Sequence, residues 1–321
     1  MDNDLIKSHI SEKNNREYTN KKYGTYYDGK TLQICFYSTG CRFSKVGGCI
    51  MCDYGQTRKE NLSPSDIKSI MHEIFTDSKE LPKVLLLNSL GSVLDEMEMP
   101  RENIIVLLDE ISKLDVNVII FETHYTSINK DILKLIKDKL PNKSLEIELG
   151  FESSNPDYRS NYLNKIIDNN KFIETINLIK SFNFTVECNV IFGMPFLSTE
   201  EQIKDTLSSI NWCIENNIDE IDLFPINIKP YTLLYKLYEE GKYKPVHHKD
   251  FIKVLKQIPE NYIDKIHLCW YGNRELEYKD KTTILPICDD LEFKDLMKFY
   301  NDFNMHKNKE YRTKLIKDII I

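Results

Sequence analysis

The chain has 321 residues and a net charge of −7. This acidic balance argues against general coating of nucleic acid, although it leaves room for a local basic groove. Hydrophobic residues make up 41% and charged residues 29%, which excludes a disordered chain. The sequence shows neither an apolar run that would cross a bilayer nor the apolar stretch of a signal peptide. We therefore expect a cytoplasmic protein without membrane contact, in which thiols stay reduced.

Apolar runs typical of strands alternate with helical patterns from residue 31 onward. The predicted strands are Leu32–Tyr37, Lys83–Asn88, Asn117–Glu122, Leu145–Phe151, Thr185–Phe192 and Glu220–Phe224. Continuous apolar runs such as these suit strands covered on both faces of a parallel sheet. Between them, Ser63-Pro64 and Pro100 open helices, and residues 199–202 (TEEQ) form a capping box. The order predicts an α/β fold of six βα units, as a doubly wound sheet or a partial barrel, with sites at the carboxyl ends of the strands.

The alternation stops near residue 245. A helix near Phe251–Gln257, a strand near Ile263–Tyr271 and a helix near Leu291–Phe303 are predicted beyond it. We expect three parts: an N-terminal extension over residues 1–30, a core over residues 31–245, and a small C-terminal α+β annex over residues 246–321. The basic and then apolar end of the sequence, residues 307–321, predicts a surface helix.

Four of the eight cysteines lie close together, from Cys35 to Cys52. The pair Cys49-x2-Cys52 lets two thiolates reach one metal ion or cluster, and the glycines around it supply a flexible loop. One interpretation is a structural zinc site with all four cysteines as ligands. The other is a [4Fe–4S] cluster held by Cys41, Cys49 and Cys52 with one iron left open. We favour the cluster, because Cys35 lies within a strand, where a thiol is commonly a core residue.

The segment TGCRFSKVGGCIMCDYG resembles the cluster loop of radical S-adenosylmethionine (SAM) enzymes. Its first gap, Cys41-x7-Cys49, is longer than the commonest spacing of that superfamily, C-x3-C-x2-C. The longer gap is similar to that of the radical SAM subunit of archaeosine synthase and its uncharacterised relatives, a group that is similar in turn to the Elongator catalytic subunit. Five further segments resemble this group in the same order, although THY stands at residues 123–125 where it usually has SRP. These segments are Asn88–Pro100, Phe121–Ile128, Leu149–Lys165, Asn189–Gln202 and Phe224–Pro245.

The resemblance implies a partial (βα)6 TIM barrel of the radical SAM type. It also implies a [4Fe–4S] cluster at the mouth of the barrel and SAM bound to the open iron. Such enzymes cleave SAM reductively to a 5′-deoxyadenosyl radical, which abstracts hydrogen from a substrate. The electron comes from a donor such as flavodoxin or ferredoxin. The archaeosine synthase relative releases archaeosine from a lysine adduct on tRNA.

A C–N lyase-like reaction on a modified tRNA base is therefore one expectation for the substrate. The acidic net charge keeps a small molecule or a peptide as an alternative, and the need for a partner subunit stays open. A non-catalytic module that binds zinc or a cluster is the rival class. For an RNA substrate, the basic residues expected to contact phosphates are Arg42, Lys45, Lys229, Lys236 and the tail Lys307–Lys317.

The resemblance places SAM-binding residues at the strand ends. Small polar groups would bind the SAM amino group, apolar side chains would contact adenine, and Arg159 would pair with the SAM carboxylate. The set is Met51, Asn88, Ser89, Gly91, Ser92, Glu152, Ser153, Arg159, Ile191, Gly193, Met194 and Phe224.

Two residues are predicted to be catalytic, Glu122 and His124. A carboxylate at the end of a buried strand is expensive to bury unless it is paired, which favours a site role for Glu122. His124 is interpreted either as a proton donor or as a capping residue. His267 and Cys269 fall on one face of the predicted last strand beside Trp270, as core residues or as part of a substrate cluster.

Overall fold

The computed structural model describes residues 7, 9–10, 18–55, 58–76, 81–269, 282–288 and 293–319. One sheet of eight strands, curled into a half barrel, carries the fold, and its strands follow one another in chain order. The first strand pairs antiparallel with the second, and every later pairing is parallel. The strands are β1 Tyr23–Tyr27, β2 Thr31–Phe36, β3 Val84–Asn88, β4 Val118–Thr123, β5 Ser144–Glu152, β6 Thr185–Phe192, β7 Glu220–Pro225 and β8 Ile266–Leu268.

The strand order settles the architecture that the sequence left open. A doubly wound sheet reverses its strand order at a switch point, whereas a barrel keeps adjacent strands sequential. The order from β2 to β7 is sequential, so the partial (βα)6 barrel is confirmed. All six predicted strands are found, each to within one residue at either end. The antiparallel strand β1 was not predicted.

Helices surround the sheet. They are α1 Pro64–Thr76, α2 Arg101–Ser112, α3 Lys130–Lys139, α4 Pro156–Tyr162, α5 Asn169–Ser181, α6 Thr199–Glu215, α7 Leu233–Glu239, α8 His248–Leu255, α9 Phe293–Met305 and α10 Lys309–Asp318. The predicted capping box is wrong by one residue, because Ser198 rather than Thr199 caps α6 and pairs with Glu201. The sequence STEEQ offers both boxes, and a carboxylate is the stronger acceptor for the N-cap amide.

Successive residues of each strand face opposite sides of the sheet. Outward side chains pack on the helices: Phe151 stacks on Trp212 of α6 at 4.4 Å, and the rings of Phe192 and Phe251 of α8 lie 5.9 Å apart. The inner face instead carries polar side chains, as where Asn189 donates to Glu148 at 3.0 Å. We call the space enclosed by this inner face the lumen. The lumen thus carries the polar side chains available for a site, while the packing between the sheet and the helices forms the apolar core.

The C-terminal part continues the same sheet. Strand β8 pairs with β7, and Asn304 of α9 bonds to both backbone groups of Leu268. The tail helix α10 is more than a surface helix, because its Arg312 is buried and donates to the carbonyls of Ile263 and Ile266. The division into parts at residues 30 and 245 stays a prediction. Among the described residues, none of the helices combines the length and apolar character needed to span a bilayer.

Candidate active site

The cysteine loop begins where β2 ends. Cys41 caps a 3-10 helix, Arg42–Val46, and Ser44 donates to the Cys41 carbonyl through both its amide and its hydroxyl. Gly48 then takes a positive φ of 75°, a conformation that side chains disfavour, and the chain returns toward Cys49. A turn closed by the Cys52 amide and the Cys49 carbonyl follows. The long first gap is thus filled by a turn of 3-10 helix, so the three cysteines still belong to one compact loop.

A buried carboxylate, Glu98, anchors the start of this loop. Its two oxygens accept the amides of Arg42 at 2.7 Å and Ser92 at 2.6 Å, which ties the loop to the segment after β3. Gly91 makes this approach feasible, because a Cβ there would lie 3.0 Å from the Cys41 Cα. Sequence reasoning missed Glu98, since nothing local marks the acid of EMEMP as buried. For Gly91, the structure provides a packing reason beside the predicted contact with SAM.

Two other strand ends hold the middle of the loop. The Asn164 side chain donates to the Gly48 carbonyl at 2.9 Å, and the Ile50 amide donates to the Leu163 carbonyl at 3.0 Å. The Ile50 carbonyl accepts the amide of Leu234 in α7 at 3.1 Å. The loop is therefore attached to the segments that follow β3, β5 and β7, and its cysteines lie over the mouth of the half barrel.

Charged and polar groups surround the three thiols. Burial, the Glu98 carboxylate and the Cys52 thiol raise the pKa of the Cys41 thiol to about 11. The Tyr54 amide donates to the Cys52 sulfur at 3.3 Å. On the other side, the Lys165 ammonium donates to Glu152 at 2.8 Å, with the two side chains only 12% and 7% exposed. Burial alone would lower the pKa of Lys165, but Glu152 and the thiols of Cys49 and Cys52 raise it above its usual value.

This donor set fits an iron–sulfur cluster. Thiolates repel one another and Glu98 unless positive iron lies between them, and amide donors to sulfur are a standard means of tuning such clusters. A tetrahedral zinc ion would hold its sulfurs about 3.8 Å apart. Among the described residues, the groups of three or more metal-ligating side chains with ligand atoms within 4.8 Å of one another include none of the loop cysteines.

Cys35 lies on the lumen face of β2, and its predicted place in the core is wrong. Its neighbours Ile34 and Phe36 are the fully buried core residues, whereas Cys35 is half-buried and shares its face of the strand with Gln33, which lines the lumen. None of the eight cysteines, all within the described residues, forms a disulfide.

The predicted residues after β3 and β4 come together. The Asn88 amide donates to Glu122 at 2.8 Å and to the Tyr54 hydroxyl at 3.3 Å, which links the strand ends to the cysteine loop. Ser89 and Ser92 are buried in the turn, where the Ser89 carbonyl accepts the hydroxyl of Ser38 and the Ser92 hydroxyl accepts the amide of His124. Hydrogen bonds to Ser38 and His124 thus fix the positions of the Ser89 carbonyl and the Ser92 hydroxyl.

His124 behaves as a capping residue. Its Nδ1 accepts the amide of Thr126 and starts the 3-10 helix Tyr125–Ser127. Burial, Lys165 and Arg42 lower the pKa of His124 to about 3, so the ring is neutral at neutral pH. A neutral ring with so low a pKa is a poor general acid, and the proton-donor interpretation is not supported.

The end of β5 departs most from expectation. Glu152 faces the lumen from a bulge, with φ of 73°. Ser153 is fully buried, and its hydroxyl donates to Asp205 at 2.8 Å. Arg159 is also fully buried, lies over the Phe151 ring at 4.7 Å and donates to the Ser153 carbonyl. The predicted pairing of Arg159 with the SAM carboxylate therefore lacks the exposure that it needs. Lys165 instead places a cation next to the thiols of Cys49 and Cys52.

The residues predicted to contact adenine differ in how deeply they are buried. Ile191 and Phe224 alternate with outward residues and so face the lumen, Ile191 buried and Phe224 half-buried, while Met51 packs partly on the core. Met194 is buried. At Gly193, φ is 106°, and a Cβ would meet Ile226 at 2.6 Å, so protein packing explains this glycine.

The candidate phosphate-binding residues do not converge. Arg42 pairs with Asp95 at 2.9 Å, and Lys229 pairs with Asp53 at 3.1 Å, both beside the cysteine loop. Lys307 instead pairs with Glu220 at the start of β7, and Arg312 bonds to the start of β8. The tail therefore lies at the amino ends of the strands, away from the cysteines.

No family model matches the chain. The chain is 28% identical over 254 residues to an uncharacterised protein of Methanocaldococcus jannaschii, covering 77% of this chain and 69% of that protein. It is 27% identical over 231 residues to archaeosine synthase subunit beta of Methanosarcina acetivorans, covering 71% of this chain and 66% of that subunit. The chain thus spans about two thirds of the length of these relatives.

A solved structure, native anSMEcpe with bound AdoMet and a peptide, has a similar fold. Its TM-score is 0.53 at 13% identity, over 74% of this chain and 63% of that one. At this identity the likeness concerns the fold alone. Together with the sequence relatives, this likeness supports the resemblance to radical SAM enzymes that the sequence indicated.

Proposed function

We propose that the chain is an enzyme that cleaves SAM reductively at a [4Fe–4S] cluster bound by Cys41, Cys49 and Cys52. The observation that carries the proposal is the convergence of these thiols with the Lys165–Glu152 pair at the carboxyl ends of the strands. When bound, cluster and SAM would supply a 5′-deoxyadenosyl radical, which abstracts hydrogen from the substrate.

The chain's own residues bind and orient SAM in this proposal. Lys165 is a buried ammonium next to two of the thiols, so it suits the SAM carboxylate, and Glu152 keeps it in place. Ile191 and Phe224 provide apolar surface in the lumen for adenine. Glu98 fixes the position of the cysteine loop by accepting hydrogen bonds from the backbone amides of Arg42 and Ser92. Arg159 and Ser153 support the end of β5 from behind the sheet.

The substrate end of the site is assigned to Glu122. The Asn88 side chain donates to its carboxylate and also to the Tyr54 hydroxyl of the cysteine loop. A carboxylate in this place holds or accepts a proton as the substrate reacts. His124, being neutral and bonded to Thr126, only supports the turn after β4.

For the substrate we propose a modified tRNA base and a C–N lyase-like reaction. The support is the sequence likeness to archaeosine synthase subunit beta in two organisms, at 27% and 23% identity. The name of these relatives is also the reason to propose a partner subunit. Arg42 and Lys229 are basic groups near the site that would contact the RNA backbone. To do so, they would exchange their ion pairs with Asp95 and Asp53 for phosphate groups.

The test uses the full chain, reconstituted with iron and sulfide under anaerobic conditions. It is incubated with SAM, a reductant and bulk archaeal tRNA, with and without soluble extract to supply a partner. We expect tRNA to increase the formation of 5′-deoxyadenosine. Mass spectrometry of the tRNA should show the loss of one modified nucleoside, and Cys41→Ala should abolish both effects. If amino acids or peptides stimulate SAM cleavage and tRNA does not, the proposal of a tRNA substrate is refuted, whereas the proposal of reductive SAM cleavage stands. No cleavage at all would overturn the proposed function.

A further inference from the structure

A second group of metal-ligating side chains lies where β7 pairs with β8. Asp222 comes from β7, and His267 and Cys269 come from β8 and the residue after it. The Asp222 Oδ1 is 2.5 Å from the His267 Nδ1, and the Cys269 Sγ is 2.9 Å from the Asp222 Oδ2. The same sulfur is 3.6 Å from the His267 Nδ1. A carboxylate, an imidazole and a thiol thus converge on one point.

This geometry differs from that of a nucleophile activated by a base. In a Cys–His–Asp relay, the sulfur bonds to one ring nitrogen and the carboxylate bonds to the other. Here the sulfur and the carboxylate both approach Nδ1 of His267. Three ligand atoms that meet at a point, rather than along a line, are the arrangement that a metal ion requires.

A separate observation concerns the acidic side chains next to this group. Glu146 is only 8% exposed, and its Oε1 has no hydrogen-bond partner within the described part of the chain. Its carboxylate lies within 4.8 Å of those of Glu187 and Glu220, and Glu187 lies equally close to Asp222. Burying such an oxygen without a partner is costly, so a cation bound beside it would stabilise the site.

The nearby basic side chains of the C-terminal part form their short-range bonds with other groups. Lys307 pairs with Glu220, and Arg312 is bonded to backbone carbonyls. Four carboxylates therefore face one imidazole beside a cavity of about 620 Å³, which these residues line. The cavity gives an ion a route to the ligands, and its size leaves room for water to complete the coordination.

We propose that Asp222, His267 and Cys269 bind one divalent transition-metal ion of the zinc class, with Glu187 or water as the fourth ligand. A thiolate with an imidazole selects zinc over calcium or magnesium, which prefer oxygen ligands alone. Binding replaces the contacts among the three side chains with bonds to the metal, and it displaces two protons: the thiol proton of Cys269 goes to solvent, and the proton that His267 Nδ1 shares with Asp222 goes to solvent or to Nε2. Since β8 has three residues, the metal would tie the C-terminal part of the chain to the core sheet. This site is independent of the proposed cluster.

The test separates this site from the cysteine loop. The full chain carrying Cys41→Ser, Cys49→Ser and Cys52→Ser is stripped with a chelator and titrated anaerobically with Co²⁺ and with Zn²⁺. We expect saturation at one ion per chain and a thiolate-to-cobalt charge-transfer band. Adding Cys269→Ser should remove the band. Adding Asp222→Asn should weaken binding by more than the roughly 10–100-fold that loss of an outer-shell partner costs. The matched control Cys288→Ser should leave the band unchanged.

Two results would overturn the site. One is the absence of a saturable ion, and the other is a cobalt band that survives Cys269→Ser. Circular dichroism checks the fold of each variant, and if Cys269→Ser does not fold, His267→Gln takes its place. Loss of the ion from a folded His267→Gln protein supports the site, and unchanged affinity for Zn²⁺ refutes it.

Discussion

Replacing Lys165 with Met removes the ammonium next to two cluster thiols and keeps most of the side-chain volume. The side chains of Lys165 and Glu152 are 12% and 7% exposed, so the substitution leaves a nearly buried carboxylate without its cation. Removing one partner of a buried pair costs about 3–5 kcal/mol. Because the pair keeps slight contact with solvent, we expect a loss of about 3 kcal/mol in the free energy of unfolding.

A double variant separates structure from function. Lys165→Met with Glu152→Gln removes the charge that would be left unpaired, and we expect it to recover most of the lost stability. Iron binding and SAM affinity should not recover, because the ammonium that faces Cys49, Cys52 and the proposed SAM carboxylate is still missing. Stability is measured by denaturant unfolding of the apo protein, and SAM affinity by anaerobic titration.

The matched control is Lys180→Met. Lys180 pairs with Asp219 at 2.6 Å, but its side chain is 33% exposed, so the loss should be about 0–1 kcal/mol. Iron content and SAM affinity should not change in this variant. If the Lys165 and Glu152 double variant bound iron and SAM as tightly as the wild type, Lys165 would have a structural role only, and the assignment of the SAM carboxylate to it would be refuted.

Three further outcomes follow from the structure. Because burial first, then Lys165 and Arg42, lowers the pKa of His124 to about 3, its contribution to stability is complete above the unfolded pKa of about 6.5 and is lost as pH falls toward 3. His124→Asn should therefore reduce acid sensitivity in unfolding experiments below pH 6.5, and an unchanged pH profile would contradict this. Arg159→Lys should lower the melting temperature without changing the SAM affinity of the folded protein, whereas weaker SAM binding would restore the original assignment of Arg159. Lys314→Glu with Lys317→Glu should leave SAM cleavage unaltered, since α10 lies at the amino ends of the strands, and a loss of turnover would show that the tail reaches the site.

The strands were predictable because each contains a run of apolar residues. These runs also contain acidic residues whose side chains face the lumen. Glu146 and Glu148 alternate with apolar residues in SLEIELGFE, and Glu187 does so in the next strand. This period of two indicates a polar lumen, and it could have been read from the sequence. It was missed because the apolar content of the runs dominates their pattern.

The cysteine loop was predictable from spacing, but its supports were not. Lys165 reaches Glu152 only because a bulge gives Glu152 a positive φ and the chain returns past α4. Glu98 reaches the amides of Arg42 and Ser92 across 56 and 6 residues. Arg159 matches the family's pattern yet lies behind the sheet. Such placements depend on tertiary packing, for which local sequence carries no signal.

The identity of the three cluster ligands is the central claim, and metal analysis of cysteine variants tests it most directly. Wild type and the Ala variants of Cys35, Cys41, Cys49 and Cys52 are reconstituted anaerobically and assayed for iron, sulfide, zinc and 5′-deoxyadenosine. The wild type and Cys35→Ala should hold about four irons per chain and cleave SAM. Cys41→Ala, Cys49→Ala and Cys52→Ala should each lose both properties. A Cys35→Ala protein that loses its cluster while one of the other variants keeps it, or a wild type that binds zinc in the loop instead of iron, would contradict the account.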